Sequence, residues 1–294
     1  MSALTVKNLI SLKNLLLATD FSPISLRALP YAVDLAVRFG SMIHVAHVIR
    51  TEDFTFARPE TLDAFFEEAR EASEQRMQAL LQPVRNRGIP SRILYGHGNI
   101  CDVLAGFVEE SEIDLITVGS AGRSGIQEWA LSSVTRRIIR EMPCPVLAVG
   151  PFIPEGGTVR IERILLATDF SPASGQAVRF ALALAREYQA HLMLLNVVEK
   201  MAGESLKLTV ELTRRRLHLL VPPEADLLSI PEVITESGPA VEHILKIATE
   251  RSADLLILGV RGEGAFSRTF KLALGSTAYK VTSESPCPVL TVPE

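Results

Sequence analysis

The chain is short of cysteine, of aromatic side chains and of dense charge of either sign, and each shortage excludes something. Three cysteines among 294 residues, with no Cys-x-x-Cys pair, leave no disulfide framework and point to a reduced compartment. Aromatics make up 6% against 47% hydrophobic residues, so the core is expected to be aliphatic, as in parallel sheets. No Lys/Arg run is dense and the formal net charge is -4, which argues against nucleic acid or an anionic membrane as the main partner. No apolar run is long enough to span a bilayer. Met1 to Lys13 is interrupted by Lys7, Asn8, Ser11 and Lys13 and has no apolar signal-peptide segment. A cytoplasmic location is therefore expected.

What the chain does have is a repeat. Leu-Leu-Ala-Thr-Asp-Phe-Ser-Pro runs from Leu16 to Pro23 and again from Leu165 to Pro172, at an offset of 149. Eight identical residues in a row mark an internal duplication. The length suits two domains of ordinary size, placed at residues 1–150 and 161–294 with a Pro/Gly-containing linker at 151–160. Within the repeat, an apolar run is cut off by Thr-Asp and then Ser-Pro. That pattern ends a buried strand and starts a helix, with Ser as N-cap and Pro at the first helical position.

The rest of each half alternates short β-prone runs with helical spacing. In the first, a helix through Leu26, Leu29, Val33, Ala36 and Val37 is stopped by Gly40. A strand at 42–49, a long amphipathic helix at 59–88 and a strand at 91–95 follow. A helix from Ile100, a strand at 114–118, a helix from Val134 and a last strand at 143–149 complete it. The second half repeats this order, with a shorter second helix around 206–220. Strands alternating with helices predict an α/β fold, a parallel sheet with right-handed crossovers in each half. The offset is 149 at Asp20/Asp169, 140 at Gly119/Gly259 and 143 at Cys144/Cys287. The second copy thus loses nine residues before its fourth strand and gains three after Gly262.

An Asp after the first strand, Gly-x-x-Gly after the fourth, a following Ser/Thr and a terminal Pro-Cys-Pro-Val strand resemble the universal stress protein family, twice in tandem. The resemblance implies Rossmann-like five-stranded sheets of order 3-2-1-4-5 flanked by helices. It also implies pairing of the two domains through their fifth strands about a pseudo-two-fold, a second copy of the chain as a homodimer partner, and a role in stress response. The ligand it implies is an adenine nucleotide, ATP with Mg2+, over the carboxyl ends of strands one and four. That is also the topological switch point, where a crevice opens in such sheets. Glycine loops and a helix N-terminus suit phosphate, and an ionised Asp accepts hydrogen bonds from a ligand.

Laid on this sequence, the resemblance implies nucleotide contacts at Ala18, Thr19, Asp20 and Ala46, and at Gly119, Gly122 and Arg123. Ser132, Ser133, Val134 and Thr135 complete the first site. In the second copy the matching positions are Ala167, Thr168 and Asp169, then Gly259 and Gly262, then Gly275, Ser276 and Thr277. Both copies depart from the Gly-x2-Gly-x9-Gly-Ser/Thr pattern. Ser132 stands where the family has Gly, with its hydroxyl available in principle to phosphate. In the second copy twelve residues separate Gly262 from Gly275, and Glu263 replaces the Arg. The first site ranks ahead for these reasons.

Three function classes stay open. The leading one is a nucleotide-binding regulatory protein, the second an interaction module without nucleotide, the third a slow ATPase. The sequence has no Walker A, no Gly-x-Ser-x-Gly and no paired base and nucleophile, so the enzyme reading has little support. His44 and His47, three apart on a strand, point to opposite faces and would not chelate one metal. His97 reads as a loop residue, and Cys144 and Cys287 as small buried hydrophobes.

Overall fold

Each half of the duplication folds around a five-stranded parallel sheet. In a computed structural model, which describes residues 10–50, 59–120, 131–153, 158–198, 204–260 and 276–294, the halves form two units. The first carries strands β1 (Asn14–Ala18), β2 (Met42–Ile49), β3 (Ser91–His97), β4 (Leu115–Gly119) and β5 (Val146–Val149). The second carries β6 (Arg163–Ala167), β7 (His191–Val198), β8 (Glu232–Ser237), β9 (Leu255–Val260) and β10 (Val289–Pro293). The order is β3-β2-β1-β4-β5 in one and β8-β7-β6-β9-β10 in the other, so both follow the expected 3-2-1-4-5 plan.

The central strands are uninterrupted aliphatic runs because both faces are covered. Leu15, Leu16 and Leu17 are fully buried, as are Ile164, Leu165 and Leu166. Register at the centre is fixed by one carboxylate per unit. Asp114 Oδ2 accepts from the Lys13 and Asn14 N–H groups at 2.6 and 2.9 Å. Asp254 Oδ2 accepts from Glu162 and Arg163 N–H at 3.0 and 2.8 Å. The strands that flank the switch point are thereby held together at their amino ends.

The first helix departs from expectation in one copy. It is broken into α1 (Pro23–Leu26) and α2 (Leu29–Phe39), with Pro30 in the first turn of α2. A proline inside a continuous helix removes an N–H and clashes with the preceding turn, so the helix restarts around it. Arg179 stands at the equivalent place in the second copy, and there the helix α6 (Pro172–Tyr188) is continuous. Gly40 caps α2 in the left-handed region at φ 68°, as its position predicted.

The long helix α3 (Pro59–Asn86) buries Met77, Leu81 and Val84. Next come α4 (Ile100–Glu110), capped by the Asn99 side chain, and α5 (Ser133–Glu141). In the second unit α7 (Glu204–Leu219) ends before Pro222-Pro223, and α8 (Ala240–Glu250) and α9 (Ser276–Glu284) follow. Arg76 on α3 and Arg216 on α7 each lie over the Phe of the duplicated loop, and their offset is already 140. The nine-residue loss therefore falls between Val198 and Arg216. Among the described residues, no helix is long and apolar enough to cross a membrane.

Candidate functional site

The duplicated octapeptide forms the turn from β1 into α1, and its polar atoms are engaged with one another. The Phe21 N–H donates to Thr19 Oγ1 at 2.9 Å, and Ser25 Oγ donates to the Ser22 carbonyl at 2.9 Å. Thr19 Oγ1 and Ser25 Oγ are 2.9 Å apart. With the Ser25 proton already given to a carbonyl, Thr19 is the donor of that pair. Ser22 is the N-cap, accepting from Ser25 N–H, and Pro23 follows it in the first turn. Asp20 Oδ1 accepts from Ser22 N–H at 2.9 Å, closing an Asx turn. The bend is completed by Phe21 at φ 61°, a left-handed conformation that is costly for a non-glycine residue.

Two neighbours hold this bend. His47 Nδ1 donates to the Thr19 carbonyl at 2.8 Å, and its ring lies 4.5 Å from that of Phe21. The Arg76 guanidinium sits 5.6 Å from the Phe21 centroid on the other element that reaches the loop. The Thr19 N–H donates to the Ala46 carbonyl at 3.0 Å, so β2 continues its pairing one residue beyond Ala18. His44, by contrast, is buried lower in the sheet against Asn14, with Nε2 to Oδ1 at 3.2 Å. Desolvation first, and the charge of Arg92 second, lower its pKa.

The second copy keeps the bend and changes its supports. Phe170 sits at φ 62°, the Phe170 N–H donates to Thr168 Oγ1 at 3.0 Å, and Ser171 is the N-cap. Asn196 replaces His47 and donates to the Thr168 carbonyl at 2.7 Å. Asp169 Oδ1 accepts from Ser171 N–H at 2.9 Å and from Ser174 Oγ at 2.7 Å. Its pKa is lowered: partial burial pushes it up, and the Ser171 and Ser174 hydrogen bonds together outweigh that. Arg216 stacks on Phe170 at 4.0 Å, beside a cleft of about 270 Å3 lined by Phe170, Ser174, Val178 and Leu220.

The partner loop lies at the end of β4. Ala18 is paired with Ala46 on one side and Val118 on the other, so Gly119 emerges beside the Asp20 bend. A Cβ on Gly119 would stand 2.5 Å from the Ile24 carbonyl oxygen and 2.6 Å from Ser25 Cα. On Gly259 it would stand 2.6 Å from Ala173 C and Ser174 N. Both glycines admit the backbone of the first helix, a packing role in addition to the phosphate approach expected of such glycines. Gly122 and Arg123, and Gly262 and Gly275 in the second copy, lie outside the described residues. So does Glu263.

Ser132 also has a different duty from the one expected. It is the N-cap of α5, its Oγ accepting from Thr135 N–H at 3.0 Å. Thr135 Oγ1 donates to the Gly119 carbonyl at 3.0 Å, so in the 2.8 Å contact between the two hydroxyls Ser132 is the donor. The Ser132 hydroxyl proton is thus held by Thr135 and is not directed to a ligand. The Ser132 N–H donates to the Ser120 carbonyl at 2.8 Å. Of the first four N–H groups at this helix end, those of Ser133 and Val134 have no partner among the described residues. In the second unit Ser276 and Thr277 open α9, and Ala167 and Thr168 are buried at the end of β6.

The structure therefore brings Ala18, Thr19, Asp20, Ala46, Gly119 and the α5 start to one edge of the first sheet. Sequence reasoning missed the supports: His47, Ser25, Arg76 and their counterparts Asn196, Ser174 and Arg216. Ser25 and Ser174 were within reach, because Asp-Phe-Ser-Pro-x-Ser is itself repeated. Cys101, Cys144 and Cys287 are buried and unpaired, and burial pushes their thiols up to about 11, 12 and 11.

The model of the Universal stress protein family matches residues 11–150 and again 160–293. A universal stress protein of Thermus aquaticus is 35% identical over 139 residues, covering 45% of this chain and 98% of that protein. Another, from Methanocaldococcus jannaschii, is 25% identical over 138 residues, covering 47% of this chain and 81% of that one. Among solved structures, the universal stress protein of Archaeoglobus fulgidus superposes with a TM-score of 0.71 at 24% identity. That match covers 95% of this chain and 98% of the other, and it shows a shared fold.

Proposed function

The chain belongs to the universal stress protein family, and on that premise we propose that it is a cytoplasmic regulatory protein that binds an adenine nucleotide, ATP with Mg2+. The site is the carboxyl edge of β1 and β4, and the first unit is its main location. One observation carries the reading. At the α5 N-terminus the Ser133 and Val134 N–H groups have no partner among the described residues, and this helix end is tied to Gly119 and Ser120 at the end of β4. Open N–H groups at a positive helix end attract phosphate. Asp20 would take a hydrogen bond from an amino or hydroxyl group of the nucleotide. Because Gly119 serves packing and Ser132 caps the helix, phosphate recognition falls to backbone N–H groups and to Arg123, next to Gly122.

The role is binding that biases association, rather than turnover. Residues 1–150 and 161–294 are the two domains, joined by a linker at 151–160. Their fifth strands pair within the chain, and two chains form a homodimer. The longer Gly262–Gly275 spacing and Glu263 weigh against the second site.

Purified protein denatured to release its ligand should yield an adenine nucleotide, lost in Asp20→Ala and retained in Asp169→Ala. Empty protein with no thermal shift on adding Mg-ATP would overturn the proposal. Release of phosphate over hours would move the protein to the slow-ATPase class.

A further inference from the structure

The duplication supplies its own control for surface chemistry, and α7 fails to match α3. Leu208, Leu212 and Leu219 on α7 are 63%, 50% and 83% exposed. Spaced four and seven apart, they form one stripe on the helix face opposite buried Thr213 and Leu217. At the equivalent positions, offset by 140, α3 carries Glu68, Ala72 and Ala79. The loop after α7 continues the difference, with Ile230 88% exposed where the first copy has Pro90. Exposed leucines in one copy and small or charged residues in the other mark a surface that the two copies use differently.

The charge on the two helices differs as well. α7 has four basic and two acidic residues, whereas α3 has six acidic and three basic. Beside the leucine stripe, exposed Lys207 and Arg214 occupy the positions that Glu67 and Glu74 hold on α3. Neither cation has a carboxylate partner among the described residues, while Arg215 pairs with Glu211 at 3.1 Å. On α3 the acidic flank is only partly neutralised, through Arg70 to Glu67 at 2.9 Å and to Glu74 at 3.7 Å. Glu68 and Glu71 remain exposed.

We propose that the exposed α7 face of the second unit docks onto the acidic α3 face of a second copy of this chain. Leucines of α7 lie over the small Ala72 and Ala79 side chains, and the basic flank meets the acidic one. Bulky against small gives the steric fit, and opposite charges set partner and orientation. The contact is heterologous, joining two different patches. It is separate from fifth-strand pairing and needs no nucleotide.

Sedimentation velocity of the full chain across a concentration series tests this. The wild type should associate beyond its 32.1 kDa mass, more weakly as salt rises. Leu208→Glu with Leu212→Glu should weaken that association at least about 100-fold, on the scale of interface hot spots, while leaving the melting temperature unchanged because both side chains are exposed. Lys207→Glu with Arg214→Glu should weaken it about tenfold or more, as should Glu68→Lys with Glu71→Lys. Mixing these two charge-reversed chains should restore it. A chain that stays at 32.1 kDa at every concentration overturns the proposal. So does association that none of the variants alters, or failure of the mixture to re-associate. Binding of a monomeric wild type to phosphatidylserine vesicles, lost in the double Leu→Glu variant, would assign the face to a membrane surface instead.

Discussion

Replacing Gly119 by alanine separates two jobs that a glycine at this edge can perform. Its Cβ would stand 2.5 Å from the Ile24 oxygen and 2.6 Å from Ser25 Cα, both backbone atoms of α1. Ordinary contact is close to an ångström longer, so the helix must shift away from β4, and no side-chain rotation relieves it. Overpacking of this kind costs about 1–3 kcal/mol, and a rigid obstacle places the cost near the upper end. At about 2–4 °C per kcal/mol for a unit of this size, the first unit should melt about 4–12 °C lower. Gly259→Ala should do the same to the second unit, where Ala173 and Ser174 stand equally close. Gly175→Ala is the control. Gly175 lies inside α6 with nothing within 4 Å of its would-be Cβ, so alanine should raise stability by about 0.5–1 kcal/mol through helix propensity. Differential scanning calorimetry of the three variants, with nucleotide content measured on each, decides the matter. A Gly119→Ala protein that melts like the wild type refutes the packing argument. If it also loses nucleotide, the glycine serves ligand approach instead.

Three further outcomes follow from individual side chains. His44 is buried with a lowered pKa, so the unfolded chain binds its proton more readily. Stability should be full above about pH 6.5 and fall as pH drops below it. His44→Met, the residue found at Met193 in the second copy, should remove that dependence in urea titrations at pH 5 and 7.5. Ser252 holds φ 47° at an exposed turn, and Ser252→Gly should raise stability by about 1 kcal/mol in the same titrations. The three thiols, raised to about 11, 12 and 11 and buried, should react with Ellman's reagent at pH 8 only after unfolding. Rapid labelling of native protein would contradict their burial.

Features that depend on near neighbours in sequence were legible, and those that depend on tertiary approach were not. The alternation of strands and helices and the Ser22, Ser171 and Gly40 caps follow from local pattern, whereas the 3-2-1-4-5 order came from the family resemblance. Pro30 was equally local, yet the apolar spacing across it carried the reading past the break between α1 and α2. The packing of Gly119 on α1 was not legible, because the backbone of α1 comes close only once β4 is paired with β1. Phe21 and Phe170 gave no sign of their left-handed backbone, which favours glycine or asparagine. Arg76 and Arg216 could not be linked to those phenylalanines across some fifty residues.

The structure also changes what the repeated octapeptide can prove. Asp and the first Ser are tied to each other in both copies and Thr accepts from the Phe N–H in both, so folding alone accounts for much of their retention. Asp20 Oδ1 and Asp169 Oδ1 receive N–H or O–H donors that an asparagine oxygen would accept equally well. The turn therefore asks for an Asx residue, and both copies supply the charged one. In the second copy the carboxylate is held ionised, with Ser174 donating to it. In the first, Ser25 turns instead to the Ser22 carbonyl, and Asp20 Oδ1 accepts from the Ser22 N–H. The same eight residues thus make the same turn twice, with the serine hydroxyl drawn onto the carboxylate in only one of them. That difference, together with Glu263 and the longer spacing downstream, is what the paired Asp20→Ala and Asp169→Ala variants test, with loss of nucleotide expected in the first alone.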